Sequence, residues 1–287
     1  PSSLPPVMKT CGGPSSRLII SRTRLRRGER TRAASSSSTP KESGVGELSP
    51  EISSVTVEPA FRVSPAQHAE LDAAASPNTV KVLFLSESGA CRSVLALAAF
   101  EALALEAGLD WVSADAKGTR DYCVETGIEP AAVEAAKRVG LSVDEGFDVR
   151  AFTNPIDVVS HDLLLTVDKF VLADALREVT VFDTIESSNK YSPRVRPITD
   201  FHPSATVTSV EDPLYGGNSG AEAEADATEE AARVLSECVA GLVKELEEIR
   251  TRADEGEGTI KELLVHRMSG MPVVDWLVPP LLRTQDK

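Results

Sequence analysis

Residues 80–93 have the sequence VKVLFLSESGACRS, in which an apolar segment rich in β-branched residues ends abruptly at a polar loop. The apolar part, residues 80–85, is typical of a buried β-strand. The residues that follow the loop, 93–107, are rich in Ala and Leu and are followed by Gly108, which predicts a helix with a glycine cap. The segment therefore predicts a strand, a tight loop and a helix in succession.

Alternating strand and helix patterns continue beyond this unit. We predict further strands at residues 111–114, 162–167 and 194–198, and helices at residues 130–139, 169–177 and 222–250. Such alternation is typical of an α/β fold with a parallel sheet covered by helices on both faces. Residues 259–287 lie outside the pattern, and the apolar segment 271–282 is interrupted by prolines, so it is not predicted to form one helix.

The loop between the first strand and its helix has the features of an anion site. Backbone N–H groups and the helix dipole point into a loop at a helix amino end. Arg92 lies at the start of the helix, where a positive side chain opposes the dipole, and a bound anion best explains it. A guanidinium group suits phosphate because it donates two parallel hydrogen bonds. The loop is therefore predicted to bind phosphate through Arg92.

The same residues resemble the phosphate-binding loop of low-molecular-weight protein tyrosine phosphatases, in which a strand ends in Cys-x5-Arg-Ser. Here the corresponding residues are Ser86, Arg92 and Ser93, and Cys91 matches the family's second loop cysteine. The segment 212–217, Asp-Pro-Leu-Tyr-Gly-Gly, is similar to the family's Asp-Pro-Tyr-Tyr-Gly segment before its last helix. Two further segments are similar to family segments, so the resemblance extends from about residue 80 to about residue 250; they are residues 116–122 and 161–168.

The resemblance implies a fold and a set of roles. The implied fold is a four-stranded parallel sheet flanked by helices, a three-layer sandwich of the flavodoxin or Rossmann-like type. No cofactor and no metal are expected. Ser86 would stand where the family has its nucleophilic cysteine, and Asp212 would protonate the leaving group. Tyr122 and Tyr215 would flank the substrate cleft, although ordinary half-buried tyrosines are an equal interpretation. The phosphate oxygens would be held by the loop residues Glu87, Ser88, Gly89, Ala90, Cys91, Arg92 and Ser93.

Serine at position 86 makes catalysis by this route doubtful. A cysteine near a helix amino end and an arginine is a thiolate at neutral pH, whereas a serine hydroxyl needs a general base within hydrogen-bond reach. His161 precedes a strand, so we expect it at the opposite edge of the sheet from the loop. Glu87 adds a carboxylate, which either pairs with Arg92 and fills the site or points to solvent.

Two functions follow from the resemblance and from the serine. The first is a catalytically impaired member of the family that binds phosphate, a phosphotyrosine-containing ligand or a protein partner. The alternative is an active phosphomonoester hydrolase of low activity, which works through Ser86 or through a water held by Asp212.

Charge is distributed unevenly along the chain. The formal net charge is −14, but residues 1–40 contain eight basic residues and one acidic residue. The strongly acidic remainder argues against nucleic acid and anionic membrane as partners. The composition of residues 1–40 is typical of an organelle transit peptide, which we expect to direct the chain to the plastid. Alternatives are the mitochondrion, the cytoplasm or a disordered basic arm.

A reporter experiment tests the targeting prediction. A fluorescent protein fused to residues 1–60 should enter an organelle, because the fused segment contains the whole Ser/Arg-rich stretch. A diffuse cytosolic signal would contradict the prediction.

These patterns divide the chain into four predicted segments. They are a transit peptide at residues 1–40, a linker at 41–78, a phosphatase-like domain at 79–252 and a C-terminal extension at 253–287. The extension is either a tail packed on the domain or a partner-binding tail.

The sequence contains no apolar run of the roughly 18 residues that a membrane span needs. Its four cysteines show no C-x-x-C spacing, so neither a disulfide framework nor a zinc site is indicated.

Overall fold

The computed structural model of this chain describes residues 78–214 and 220–272. The predicted transit peptide, all but the last residue of the predicted linker, Tyr215 and most of the apolar segment 271–282 therefore lie outside the described residues.

The described residues contain a four-stranded sheet. The strands are β1 (Val80–Ser86), β2 (Val112–Gly118), β3 (Leu163–Thr166) and β4 (Val195–Pro197), in the order β2-β1-β3-β4. All three strand pairings are parallel. The residues of the central strands β1 and β3 are almost all fully buried, as expected for a sheet covered on both faces. The predicted α/β fold with four parallel strands is confirmed.

Helices connect and cover these strands. They are α1 (Arg92–Ala107), α2 (Pro130–Arg138), α3 (Ile156–Ser160), α4 (Lys169–Ile185), α5 (Ala221–Asp254) and α6 (Ile260–Ser269), with short 3-10 turns at Ser192–Arg194 and Ile198–Phe201. Helix α1 packs against α5, and α4 packs against β3 and β4. The buried apolar residues of the strands and of these helices form one core.

Several elements differ from the sequence prediction. Strand β2 continues to Gly118, whereas the prediction ended it at residue 114. The second half of this edge strand is partly polar, so it lacks the apolar pattern on which the prediction depended. Helix α4 continues to Ile185, and the short helix α3 was not predicted. Helix α6 was not predicted either, although a capping box starts it: Thr259 and Glu262 each accept a hydrogen bond from the other's backbone N–H.

The strand order determines where a ligand site can form. The connection after β1 leads to β2 on one side, whereas the connection after β3 leads to β4 on the other side. In open parallel sheets, ligands bind in the crevice at the carboxyl ends of the strands where the order reverses. Ser86 ends β1 and Asp168 follows β3 at this same edge. The crevice therefore brings the predicted phosphate loop next to Asp168.

Candidate functional site

The loop after β1 turns sharply at Gly89. This residue has a φ of 73°, a left-handed conformation that residues with a Cβ adopt at a cost. A Cβ at Gly89 would also lie 2.5 Å from the backbone nitrogen of Gly118, at the end of β2. The close approach of the two backbones therefore requires glycine at position 89.

The segment after β2 holds the beginning of the loop. The backbone N–H of Thr119 donates to the carbonyl oxygen of Ser86, and the N–H of Arg120 donates to that of Glu87, each at 2.9 Å. Residues 116–122, which resemble a family segment, thus contact the phosphate loop directly.

Ser86 lies buried at the floor of the loop. Its Oγ accepts a hydrogen bond from the backbone N–H of Gly89 at 3.1 Å and shares another with the Oγ of Ser93 at 2.8 Å. Among the described residues, neither group bonded to this hydroxyl is a general base. His161 lies just before β3, at the amino-terminal edge of the sheet, as expected.

Arg92 is 2% exposed and its guanidinium group has three acceptors. Nη1 donates to Asp168 Oδ2 at 2.5 Å and to the carbonyl oxygen of Val210 at 2.8 Å, and Nη2 donates to Asp212 Oδ2 at 2.8 Å. The Asp168 side chain is 8% exposed and that of Asp212 is 28% exposed. A guanidinium group removed from water requires such partners, because an unpaired buried charge is strongly destabilising.

Asp168 is a residue of this site to which the sequence analysis assigned no role. Its second oxygen, Oδ1, accepts hydrogen bonds from the backbone N–H groups of Phe170 and Val171, each at 2.8 Å, and so caps α4. One carboxylate thus joins the helix start to the guanidinium group of Arg92. The signal in the sequence was an acidic residue directly after a predicted strand and before a predicted helix.

The structure brings Asp212, the acid implied by the resemblance, next to Arg92. Its Oδ1 accepts a hydrogen bond from the backbone N–H of Leu214 at 3.0 Å, while Oδ2 bonds to the guanidinium group. The other member of this segment to which the resemblance gave a role, Tyr215, lies outside the described residues.

Glu87 does not pair with Arg92, so that interpretation was wrong. The guanidinium group already has Asp168 and Asp212 as partners, and Glu87 lies exposed at the rim of the site. Desolvation and a hydrogen bond to Glu87 raise the pKa of Tyr122, which is 58% exposed. Tyr122 thus contacts the rim of the site through Glu87.

The side chain of Cys91 belongs to the hydrophobic core. Burial and the negative charge of Asp212 raise the pKa of its thiol to about 12, although Arg92 acts in the opposite direction. The side chain is therefore a protonated thiol at neutral pH. The contribution of Cys91 to the site is its backbone N–H.

Three backbone N–H groups of the loop are available to an acceptor. The backbone N–H groups of Glu87, Ser88 and Cys91 donate to no acceptor within the described part of the chain. They lie between the end of β1 and the first turn of α1, where the helix dipole adds positive potential.

A cleft of about 420 Å³ opens above Arg92. Its charged lining consists of five carboxylates and two guanidinium groups: Glu87, Asp168, Asp174, Glu211, Asp212, Arg92 and Arg120. Arg120 is paired with Asp174 at 2.6 Å. Within residues 78–214 and 220–272, no cluster of His, Cys, Asp and Glu is arranged to hold a metal ion, and no helix is long and apolar enough to cross a membrane.

Comparison with known families agrees with this geometry. The family model described as low molecular weight phosphotyrosine protein phosphatase matches residues 81–249, more than half of the chain. The chain therefore belongs to the low molecular weight phosphotyrosine protein phosphatase family. No curated protein sequence is significantly similar to it.

Similar solved structures include three bacterial or protozoan proteins. One is a protein tyrosine phosphatase from Entamoeba histolytica, 21% identical, with 59% of this chain and 98% of that chain covered at a TM-score of 0.49. YfkJ from Bacillus subtilis is 20% identical, with 59% and 96% covered at a TM-score of 0.47. A low molecular weight phosphotyrosine phosphatase from Vibrio cholerae is 17% identical, with 59% and 97% covered at a TM-score of 0.47.

Proposed function

We propose that this protein binds phosphate or a phosphotyrosine-containing ligand in the loop of residues 86–93 and is catalytically impaired. One observation carries the proposal: the loop that leads into Arg92 contains three backbone N–H groups that have no acceptor in the described residues, and the Arg92 side chain is buried at the start of the helix that follows. Several donors that converge on one loop at a helix amino end suit the oxygens of a phosphate group.

The surroundings of Ser86 support the impaired activity. A serine hydroxyl becomes a nucleophile when an adjacent base takes its proton. The hydroxyl of Ser86 is bonded instead to another hydroxyl and to a backbone N–H. A family member with this arrangement is expected to bind a phosphorylated group but to hydrolyse it slowly.

A second candidate function is a phosphomonoester hydrolase of low activity. Asp212 favours it, because its partly exposed carboxyl group lies 2.8 Å from Arg92 and lines the same cleft. A carboxyl group in that position is able to protonate a leaving oxygen or to orient a water molecule. Turnover of an aryl phosphate by the unmodified chain separates this candidate from the first.

Phosphate titration of the full chain, followed by thermal unfolding, tests the binding function. We expect phosphate at about 100 times its Kd to stabilise the fold by about 2.7 kcal/mol. Arg92→Lys should weaken binding about tenfold or more, because lysine lacks the planar fork that holds two oxygens. Asp212→Asn should strengthen binding about tenfold, because it removes a negative charge that repels the dianion and competes for the guanidinium group.

The matched control is Arg150→Lys, which changes an exposed arginine paired with Asp115 away from the cleft. This variant should keep the phosphate affinity of the unmodified chain. Equal stabilisation of the Arg92→Lys and Arg150→Lys variants by phosphate would place the anion elsewhere and reject the proposed site.

A further inference from the structure

The lining of the cleft is unusual for a site that receives only a dianion. Five carboxylates and two guanidinium groups surround it, and the guanidinium group of Arg92 already bonds to two of the carboxylates. Arg120 is likewise paired with Asp174. A phosphate group that enters this cleft meets a negative potential beyond its immediate cradle.

Two carboxylates at the rim of the cleft take no part in the ion pairs of Arg92 and Arg120. Glu87 and Glu211 both line the cleft and are exposed, and neither has a cationic partner within the described residues. Glu87 is also one of the causes of the raised pKa of Tyr122, which places the two side chains near each other at this rim. The rim therefore attracts positive charge beside the loop that is proposed to hold the phosphate.

Phe170 is the apolar part of this rim. It is 68% exposed although it is a large hydrophobic residue at the start of α4, and it lines the same cleft as Arg92. Its backbone is held near the guanidinium group of Arg92, because Asp168 accepts hydrogen bonds from both the Phe170 N–H and Arg92. The ring already has a cation near it, since Lys169 Nζ lies 5.1 Å from its centroid. Exposed aromatic faces attract cationic groups.

We propose that Phe170, Glu87 and Glu211 form a subsite for a positively charged organic part of the phosphorylated ligand. The ligand class is a phosphotyrosine peptide with lysine or arginine next to the phosphorylated residue. Such a peptide brings its own compensation for the negative cleft, because its cations bond to the rim while its phosphate bonds to the loop. The inference rests on the proposed phosphate-binding function and adds the chemistry of the attached group.

Binding of two phosphotyrosine peptides to the full chain tests this subsite. The peptides differ only in their flanking residues, which are lysine in one and glutamate in the other. We expect the lysine peptide to bind about tenfold more tightly at low salt, with the ratio falling as salt is raised. Phe170→Ala and Glu211→Gln should each weaken the lysine peptide about threefold and leave inorganic phosphate within about twofold of the unmodified chain.

The controls are Leu105→Ala and Glu106→Gln, which change exposed residues at the far end of α1. Neither should alter the ratio between the two peptides. If inorganic phosphate binds but the two peptides bind equally, or if the rim variants behave as the controls do, the subsite is rejected while the proposed function stands. If neither phosphate nor peptide binds, both are rejected.

Discussion

Ser86→Cys is expected to raise the hydrolysis of an aryl phosphate at least about 100-fold above the unmodified chain. A sulfur at this position would receive the N–H of Gly89 and the hydroxyl of Ser93, which lie 3.1 and 2.8 Å from the present Oγ. Hydrogen bonds to the charged form, the amino end of α1 and the nearby guanidinium group all lower the pKa of a thiol. The reacting thiolate would then form without a general base.

Cys91 shows that proximity to Arg92 alone does not produce a thiolate. Its pKa is raised to about 12 because its side chain is buried and lies near Asp212. The residue at position 86 differs because its side chain faces the donors of the loop rather than the core. In the Ser86→Cys variant, a pH titration of alkylation should therefore show one reactive thiol with a pKa below the ordinary value of about 8.5.

The activity measurement needs two matched variants. Ser86→Ala sets the background rate, and Ser86→Cys combined with Asp212→Asn should lose most of the gain, because the acid for the leaving oxygen is removed. Adding Glu87→Gln to Ser86→Cys should raise the rate only about twofold, since Glu87 is exposed and does not pair with Arg92. A Ser86→Cys variant that binds phosphate normally yet reacts at the rate of Ser86→Ala would show that a thiol at position 86 is not sufficient for activity in this loop.

The sequence predicted the elements with strong apolar patterns. Strands β1 and β3 are short runs of Val, Leu and Phe, and α5 repeats apolar residues at helical spacing, so their positions were predicted within a few residues. The polar second half of β2 and the short helix α3 lack such patterns. Helix α6 has only weak amphipathic patterning, and its capping box, Thr259-x-x-Glu262, was the signal that was overlooked.

The candidate site was predicted in part. Ser86 and Arg92 are close in sequence, so a local pattern was enough to place them in one loop. Asp212 was placed by resemblance to a family. The role of Asp168 depends on β3 lying beside β1, and the hydrophobic pattern of two buried parallel strands is the same for any strand order. The rim position of Phe170 follows from the same neighbourhood, so it was also missed.

Asp168→Ala is expected to reduce the free energy of unfolding by about 3–5 kcal/mol. Removal of this carboxylate leaves the buried guanidinium group of Arg92 without its least exposed charged partner. It also removes the cap of α4, which contributes about 1 kcal/mol in comparable helices. Urea unfolding of the full chain, followed by far-ultraviolet circular dichroism, measures the loss.

Asp168→Asn separates the two contributions. Asparagine caps helices about as well as aspartate, so this variant keeps the cap and removes only the negative charge beside Arg92. We expect it to lose most, but not all, of the stability lost by Asp168→Ala. The matched control is Asp174→Ala, at a position within α4. It breaks more exposed ion pairs with Arg120 and Arg177 and should cost less than about 1 kcal/mol.

The outcome bears on why a chain with serine at position 86 still has the arginine of the loop. If Asp168→Ala is far more costly than Asp174→Ala, Arg92 is required by the fold, because it ties α1 to the end of β3 and to the segment at Val210. The buried ion pair with Asp168 then both positions the guanidinium group of Arg92 and stabilises the domain, so the proposed anion site would persist whichever residue occupies position 86. Equal and small losses in the two variants would contradict this, and retention of Arg92 would then have to be attributed to ligand binding alone.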